Sequence, residues 1–303
     1  MGERTRHEPG TFCLVGLATS EPAPATSFYA SLFGWDSEEL SAGGVGTYTM
    51  LRRGDKEVAI LYRQTPEARA AGAPPHWTSY ISVEDADATA TRVGELGGAA
   101  VFREPFDVLD AGRVAAIRDP TGAIVSLWQP RSLIGAALVN DVGAWCWNEL
   151  ATTDVERAEA FFGELLGWEY ETDDGGYASI KNAGSLNGGI REQTEREREI
   201  PPTWLPYFTV ENVDDAARQA EQVGGRRLLP SAEIHVGGFA VIADPQGAAF
   251  AVFEGETDSS RAMRAQGGQR RARALPTPPS EAATFAPGEP MPTPLPSQAL
   301  VDR

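Results

Sequence analysis

Only two cysteines occur in the 303 residues, and they cannot staple a fold. Cys13 and Cys146 occupy matching places in a repeat described below, as recurring core residues do; a disulfide framework needs more pairs than this. Apolar runs long enough to cross a bilayer are missing, and the opening residues Met1 to Gly10 are charged, without an apolar signal core. A cytoplasmic protein with no membrane partner is expected. Basic charge is short as well, since 26 Lys and Arg face 43 Asp and Glu, for a net charge of −17. That balance repels phosphate backbones, so nucleic acid is not an expected partner. No nucleotide-phosphate loop stands out, and no cofactor is expected.

What is present occurs twice. Ala18-Thr19, Phe28-Tyr29 and Phe33-Gly34-Trp35 return as Ala151-Thr152, Phe161-Phe162 and Leu166-Gly167-Trp168. Trp77, Tyr80 and Val83 return as Trp204, Tyr207 and Val210, Gly97-Gly98 as Gly224-Gly225, and Asp119-Pro120-Thr121-Gly122 as Asp244-Pro245-Gln246-Gly247. The order is kept throughout, which marks an internal duplication.

Each half divides again. Phe12–Leu17 alternates as a strand, Pro24–Leu32 has helical spacing, and Gly34 supplies a helix stop. Thr47–Leu51 and Glu57–Tyr62 read as strands around an Arg53-Gly54-Asp55 turn, followed by a loop from Arg63 to Pro75. The pattern then restarts with strand Thr78–Val83, helix Ala86–Leu96, and strands Val114–Arg118 and Ala123–Gln129. In the second half Asp154 is a helix cap before Val155–Leu166, and Val213–Val223 is the second helix. The expected layout is a flexible start (1–10), a first domain (11–130), a linker (131–142) that packs between the domains, a second domain (143–254), and a disordered tail rich in Pro and Arg (255–303).

The run Asn148-Glu149-Leu150-Ala151-Thr152-Thr153-Asp154, with Ala158, Phe161-Phe162 and Leu166-Gly167-Trp168, resembles the glyoxalase/bleomycin-resistance/extradiol-dioxygenase superfamily, the vicinal oxygen chelate fold. The Gly pair after the second helix and the Asp-Pro-x-Gly turn resemble it too, and the likeness spans about Thr11–Phe253. It implies an α+β fold of two tandem domains, each of paired βαβββ units forming a half-open eight-stranded barrel around a pocket. Tandem proteins of this type, often labelled hydroxylases, occur in actinobacteria.

The resemblance also implies where a divalent metal would be held. Those positions fall on Leu14, Thr78 and Ser126 in the first domain and on Trp147, Leu205 and Ala251 in the second, with Ile60 and Gly189 at the middle places. None of these side chains replaces imidazole or carboxylate, so no metal is expected. His7 and His235 read as surface residues.

Strand parity then places His76, Thr78, Tyr80, Ser126 and Trp128 on the first cavity, and Trp145, Trp147, Glu149, Tyr207 and Phe253 on the second. Glu149 and His76 are the candidate acid–base groups. A carboxylate among Trp145, Trp147 and Phe253 would be partly desolvated, which is one way a carboxyl becomes a working acid or base; pairing with an arginine is the alternative. The aromatic residues suit a small aromatic or polycyclic ligand, unless they simply fill the barrels. Two functions follow, with a metal-dependent glyoxalase- or dioxygenase-like enzyme using displaced ligands such as His76 and Glu149 as a minor alternative. One is a metal-independent tailoring enzyme for an aromatic specialised metabolite, by isomerisation, cyclisation, dehydration or hydroxylase-type chemistry. The other is a protein that sequesters such a compound. A homodimer is compatible with either.

Overall fold

A computed structural model describes residues 2–261 apart from 102, 103, 196, 235 and 236. The first half runs β1 (Phe12–Thr19), α1 (Pro22–Phe33), β2 (Asp36–Ser41), β3 (Thr47–Arg53), β4 (Lys56–Arg63), α2 (Pro66–Ala70), β5 (His76–Ser82), α3 (Ala86–Glu95), β6 (Ala99–Ala100), β7 (Phe106–Val108), β8 (Gly112–Arg118) and β9 (Ile124–Pro130). The second runs β10 (Trp145–Thr152), α4 (Val155–Leu166), β11 (Glu169–Thr172), β12 (Ala178–Asn182), β13 (Ser185–Glu192), β14 (Thr203–Thr209), α5 (Val213–Gln222), β15 (Arg226–Ile234), β16 (Gly237–Ala243) and β17 (Ala249–Gly255). Helices start and stop where local chemistry dictates. Asp154 accepts from the Arg157 amide at the head of α4, and Gly167 ends it in the left-handed region at φ 75°.

Each half forms one open sheet. The strand orders are β2-β3-β4-β1-β5-β9-β8-β6 and β11-β12-β13-β10-β14-β17-β16-β15, with β7 paired on β8. The two βαβββ units of a half meet where β1 lies antiparallel to β5, and β10 to β14. The first strand of the unit also runs parallel to its last, as Gly16 opposite Ile60 and Glu149 opposite Gly189 show. β2 and β11 had no apolar alternation to reveal them, since they are almost wholly exposed at the sheet edges. The loop expected from Arg63 to Pro75 contains the short α2, capped by Thr65.

The halves share one hydrophobic core. Ring centroids of Phe12 and Trp204 lie 5.0 Å apart, Phe33 and Phe208 5.1 Å, and Trp77 and Phe208 5.1 Å. Ser79 Oγ donates to Asn148 Oδ1 at 2.5 Å between the central strands of the two sheets. Helices reach across: Tyr29 of α1 sits 5.6 Å from Phe250, and Arg92 of α3 donates to the carbonyl of Glu164 on α4 at 2.7 Å. Alternation therefore turns one face of each sheet inward, toward the other half, and leaves an outer face on each.

Two expected boundaries move. The start is held rather than flexible, because Arg4 N donates to Ala137 O at 2.8 Å and Gly2 N to Asp141 Oδ2 at 3.0 Å. His7, expected at the surface, is half-buried with Nε2 2.8 Å from Ala136 O. At the other end β17 runs to Gly255, Asp258 pairs with Arg4 at 3.0 Å, and Ser259 bonds Asp141. Residues 255–261 thus belong to the body; the rest of the expected tail, 262–303, and His235 lie outside the described residues. The linker packs against the first sheet, with Ala136 N donating to Cys13 O at 2.8 Å and Gly135 so close to that carbonyl that a side chain would collide.

Candidate functional site

The outer face of the second sheet is built on β10 and its neighbours. Glu149, opposite Leu205 and Gly189, lies at the centre and is 8% exposed. Arg191 of β13 shares the parity of Gly189 and donates from Nε to Glu149 Oε1 at 2.7 Å. The remaining fork of Arg191 grips Glu197 with two bonds of 2.7 Å each. Tyr177, just before β12, accepts from Trp147 Nε1 at 2.9 Å, and its hydroxyl and that of Tyr207 on β14 lie close enough to Glu149 to feel its charge. Gly189 makes this arrangement feasible, since a Cβ there would stand 2.0 Å from the Tyr177 hydroxyl.

Around that polar centre lie apolar groups that are only half-buried: Trp147, Leu205, Phe239 and Phe253, packed on Tyr207, Val241 and Ala251. Burial, followed by the adjacent Glu149 charge, raises the Tyr177 and Tyr207 hydroxyls well above the ordinary phenol range, so both keep their protons near neutral pH. Glu197 behaves oppositely. Burial alone would raise it, but hydrogen bonds from Arg191 and Thr194 pull it from 4.5 to about 2. The face thus offers an apolar platform with protonated hydroxyls and an ion-paired carboxylate at its floor.

The first sheet differs. Tyr62, Thr78, Tyr80 and Ser126 form a set of neighbouring hydroxyls without a charged member, and burial raises both phenols above their ordinary range. Thr78, Tyr80, Ser126 and Trp128 are all buried, and Trp128 lies over Gly112 with its Nε1 on Leu133 O at 3.0 Å. The Tyr80 ring covers Gly16. This outer face is largely filled by its own side chains.

Of the residues expected on the cavities, Trp147, Glu149, Tyr207 and Phe253 come together, and so, in the other half, do Thr78, Tyr80, Ser126 and Trp128. Two do not join them. A bulge between Trp145 and Trp147 reverses the parity of Trp145, which faces Phe208 in the shared core. His76 is exposed at the head of β5, with Nδ1 2.9 Å from Pro74 O. Glu149 does not stand alone among aromatics, because Arg191 reaches it. Arg191 was within reach of parity, two residues beyond Gly189; Tyr177 and Glu197 sit outside the strands, where alternation carries no signal.

Two family models cover these same halves. The Glyoxalase/Bleomycin resistance protein/Dioxygenase superfamily matches residues 12–127, and a Glyoxalase-like domain matches 147–253. The protein CFP32 of Mycobacterium tuberculosis, whose name places it with glyoxylases, is 38% identical over 84% of this chain and 98% of its own. The chain belongs to the glyoxalase superfamily. Within it, the anthracycline biosynthesis protein DnrV of Streptomyces peucetius is 32% identical over 82% of this chain and 95% of its own. Among solved structures, the 2,3-dioxygenase LapB of Pseudomonas sp. KL28 has a TM-score of 0.56 at 13% identity, covering 83% and 95%. A Mn(II)-bound glyoxalase of Novosphingobium aromaticivorans reaches 0.57 at 14%, covering 81% and 82%. At such identities these two share the fold alone.

Superfamily members that hold a divalent metal raise the question of fit. In the first sheet the corresponding outer-face positions carry Leu14, Ile60, Thr78 and Ser126, and in the second Trp147, Gly189, Leu205 and Ala251. No imidazole or carboxylate is among them, and Glu149 is already committed to Arg191. Among the described residues no three His, Cys, Asp or Glu side chains gather as a metal-binding group. The donor set does not fit a resident metal. No helix among the described residues is long and apolar enough to cross a membrane.

Proposed function

We propose that this chain is a small-molecule tailoring enzyme that works without a metal on an aromatic or polycyclic metabolite, bound at the outer face of the second domain. The observation that carries the reading is Glu149, a buried carboxylate paired with Arg191 and flanked by the Tyr177 and Tyr207 hydroxyls at the floor of a half-exposed aromatic platform. Apolar walls around a few convergent polar groups are the usual composition of a small-molecule site. Trp147 and Phe253 stack on the ligand, the tyrosine hydroxyls donate to an oxygen of it, and the Glu149–Tyr pair moves a proton in an isomerisation, cyclisation or dehydration. The relatives named for anthracycline biosynthesis support a polycyclic aromatic substrate.

Native mass spectrometry of the purified chain identifies a co-purified ligand, and that ligand then serves as the substrate. Glu149→Gln keeps the shape but not the proton, so turnover falls by about 10²–10⁴ while affinity changes little. A second reading, a binding protein that sequesters the compound, draws on the pairing of Glu149 with Arg191. Under it the ligand is returned unchanged, Glu149→Gln is nearly silent, and Trp147→Ala removes binding by deleting a stacking surface.

A further inference from the structure

Arg191 holds two carboxylates of different standing. Glu149 is built into the sheet and buried. Glu197 belongs to the connection between β13 and β14, where residues 198–201 are exposed. The connection brings its carboxylate to the outer fork of the guanidinium through two parallel bonds of 2.7 Å. Paired N–H groups meeting both oxygens of a planar acid is how arginine recognises a carboxylate wherever it comes from. The fork is also joined to the aromatic platform. Trp147 donates from its indole to Tyr177, whose hydroxyl lies over Gly189 between Trp147 and Glu149, and Arg191 donates to Glu149.

We propose that the outer fork of Arg191 is an anion subsite of this face, and that Glu197 occupies it in place of a carboxylate carried by the ligand. The inference rests on the reading of this face as the ligand site, and it names the ligand class as an aromatic or polycyclic carboxylic acid. The electrostatics favour an exchange. With Glu197 seated, one guanidinium balances two carboxylates; a ligand acid that replaces Glu197 leaves the same charge around Arg191 and recreates the same bidentate pair. What the exchange costs is release of the connection, where Thr194 also donates to Glu197 from N and Oγ1 at 2.9 Å each. Glu197 is then an internal competitor, so weakening it favours an acidic ligand and does nothing for a neutral one of the same shape.

Calorimetric titration of the full chain with 1-naphthoate and with 1-naphthamide, its neutral analogue, tests this. Glu197→Gln removes the competing charge on an exposed connection and leaves the sheet untouched. It is expected to tighten naphthoate by about tenfold and to leave naphthamide unchanged. Adding Arg191→Lys, which keeps the charge and loses the fork, is expected to cancel that gain. Equal or weaker naphthoate binding in Glu197→Gln, no measurable binding at all, or the same gain for both ligands would overturn the proposal. Turnover of Glu149→Gln is a separate readout, so the anion subsite and the acid–base reading can fail independently.

Discussion

One hydroxyl distinguishes the two copies of the repeat at their deepest point. In the first, Trp77 Nε1 donates to the Tyr29 hydroxyl at 3.0 Å, and that hydroxyl donates to Asp244 Oδ2 of the other half at 3.1 Å. The second copy carries Phe162 in the place of Tyr29, stacked on Trp168 and edge-on to Trp204 as Tyr29 is to Trp35 and Trp77. The two groups a hydroxyl would bridge are then left bare: Trp204 Nε1 and Asp119 Oδ2 are both buried without a partner. Phe162→Tyr is expected to stabilise the protein by about 1–2 kcal/mol, since it satisfies two buried polar atoms at once. Chemical denaturation gives the answer, and an unchanged or lower midpoint would show that the ring cannot seat its oxygen there. Sequence pattern exposed the Tyr29–Phe162 equivalence but not its consequence, because the partners come from distant segments. The same limit kept the arginine that pairs with Glu149 from being named, although Arg191 lies two residues beyond Gly189 on the same strand.

At the scale of elements, strand and helix positions were largely legible, because period-two and helical spacing survive in buried segments such as β1, β5, α4 and α5. What escaped was set by geometry that alternation cannot encode. The bulge in β10 turned Trp145 into the core, exposed edge strands had no apolar stripe, and the connection carrying Glu197 has no period at all. That connection makes its own prediction. The Glu197 carboxyl is depressed on folding, so its contribution is complete above about pH 4.5 and is lost as pH falls toward about 2. The Thr194 amide, bonded to Glu197 at 2.9 Å, reports it. Its proton chemical shift is expected to titrate in that window, and the step is expected to vanish in Glu197→Gln. A Thr194 shift that stays flat in the wild-type chain across the window would mean that Glu197 does not hold the connection.

The two halves share one hydrophobic core despite the duplicated sequence. Phe12, Phe33 and Trp77 of the first half pack on Trp204 and Phe208 of the second, and α1 closes over Phe250. Separated halves would each expose that aromatic surface, so the full chain is expected to unfold in a single calorimetric transition. Two resolved transitions would argue for independent halves. With the inward faces packed on each other, the outer faces stay available to a ligand, and the first of these is filled by Tyr80 and Trp128 while the second stays half-open. A ligand is therefore expected on the second face. This is tested most directly by ¹⁹F NMR of the chain labelled with 5-fluorotryptophan, with Trp147 and Trp128 assigned by substitution to Phe, and titrated with the co-purified compound. The Trp147 resonance is expected to move with ligand while Trp128 stays in place; movement of Trp128 with Trp147 unchanged would put the ligand on the first face instead.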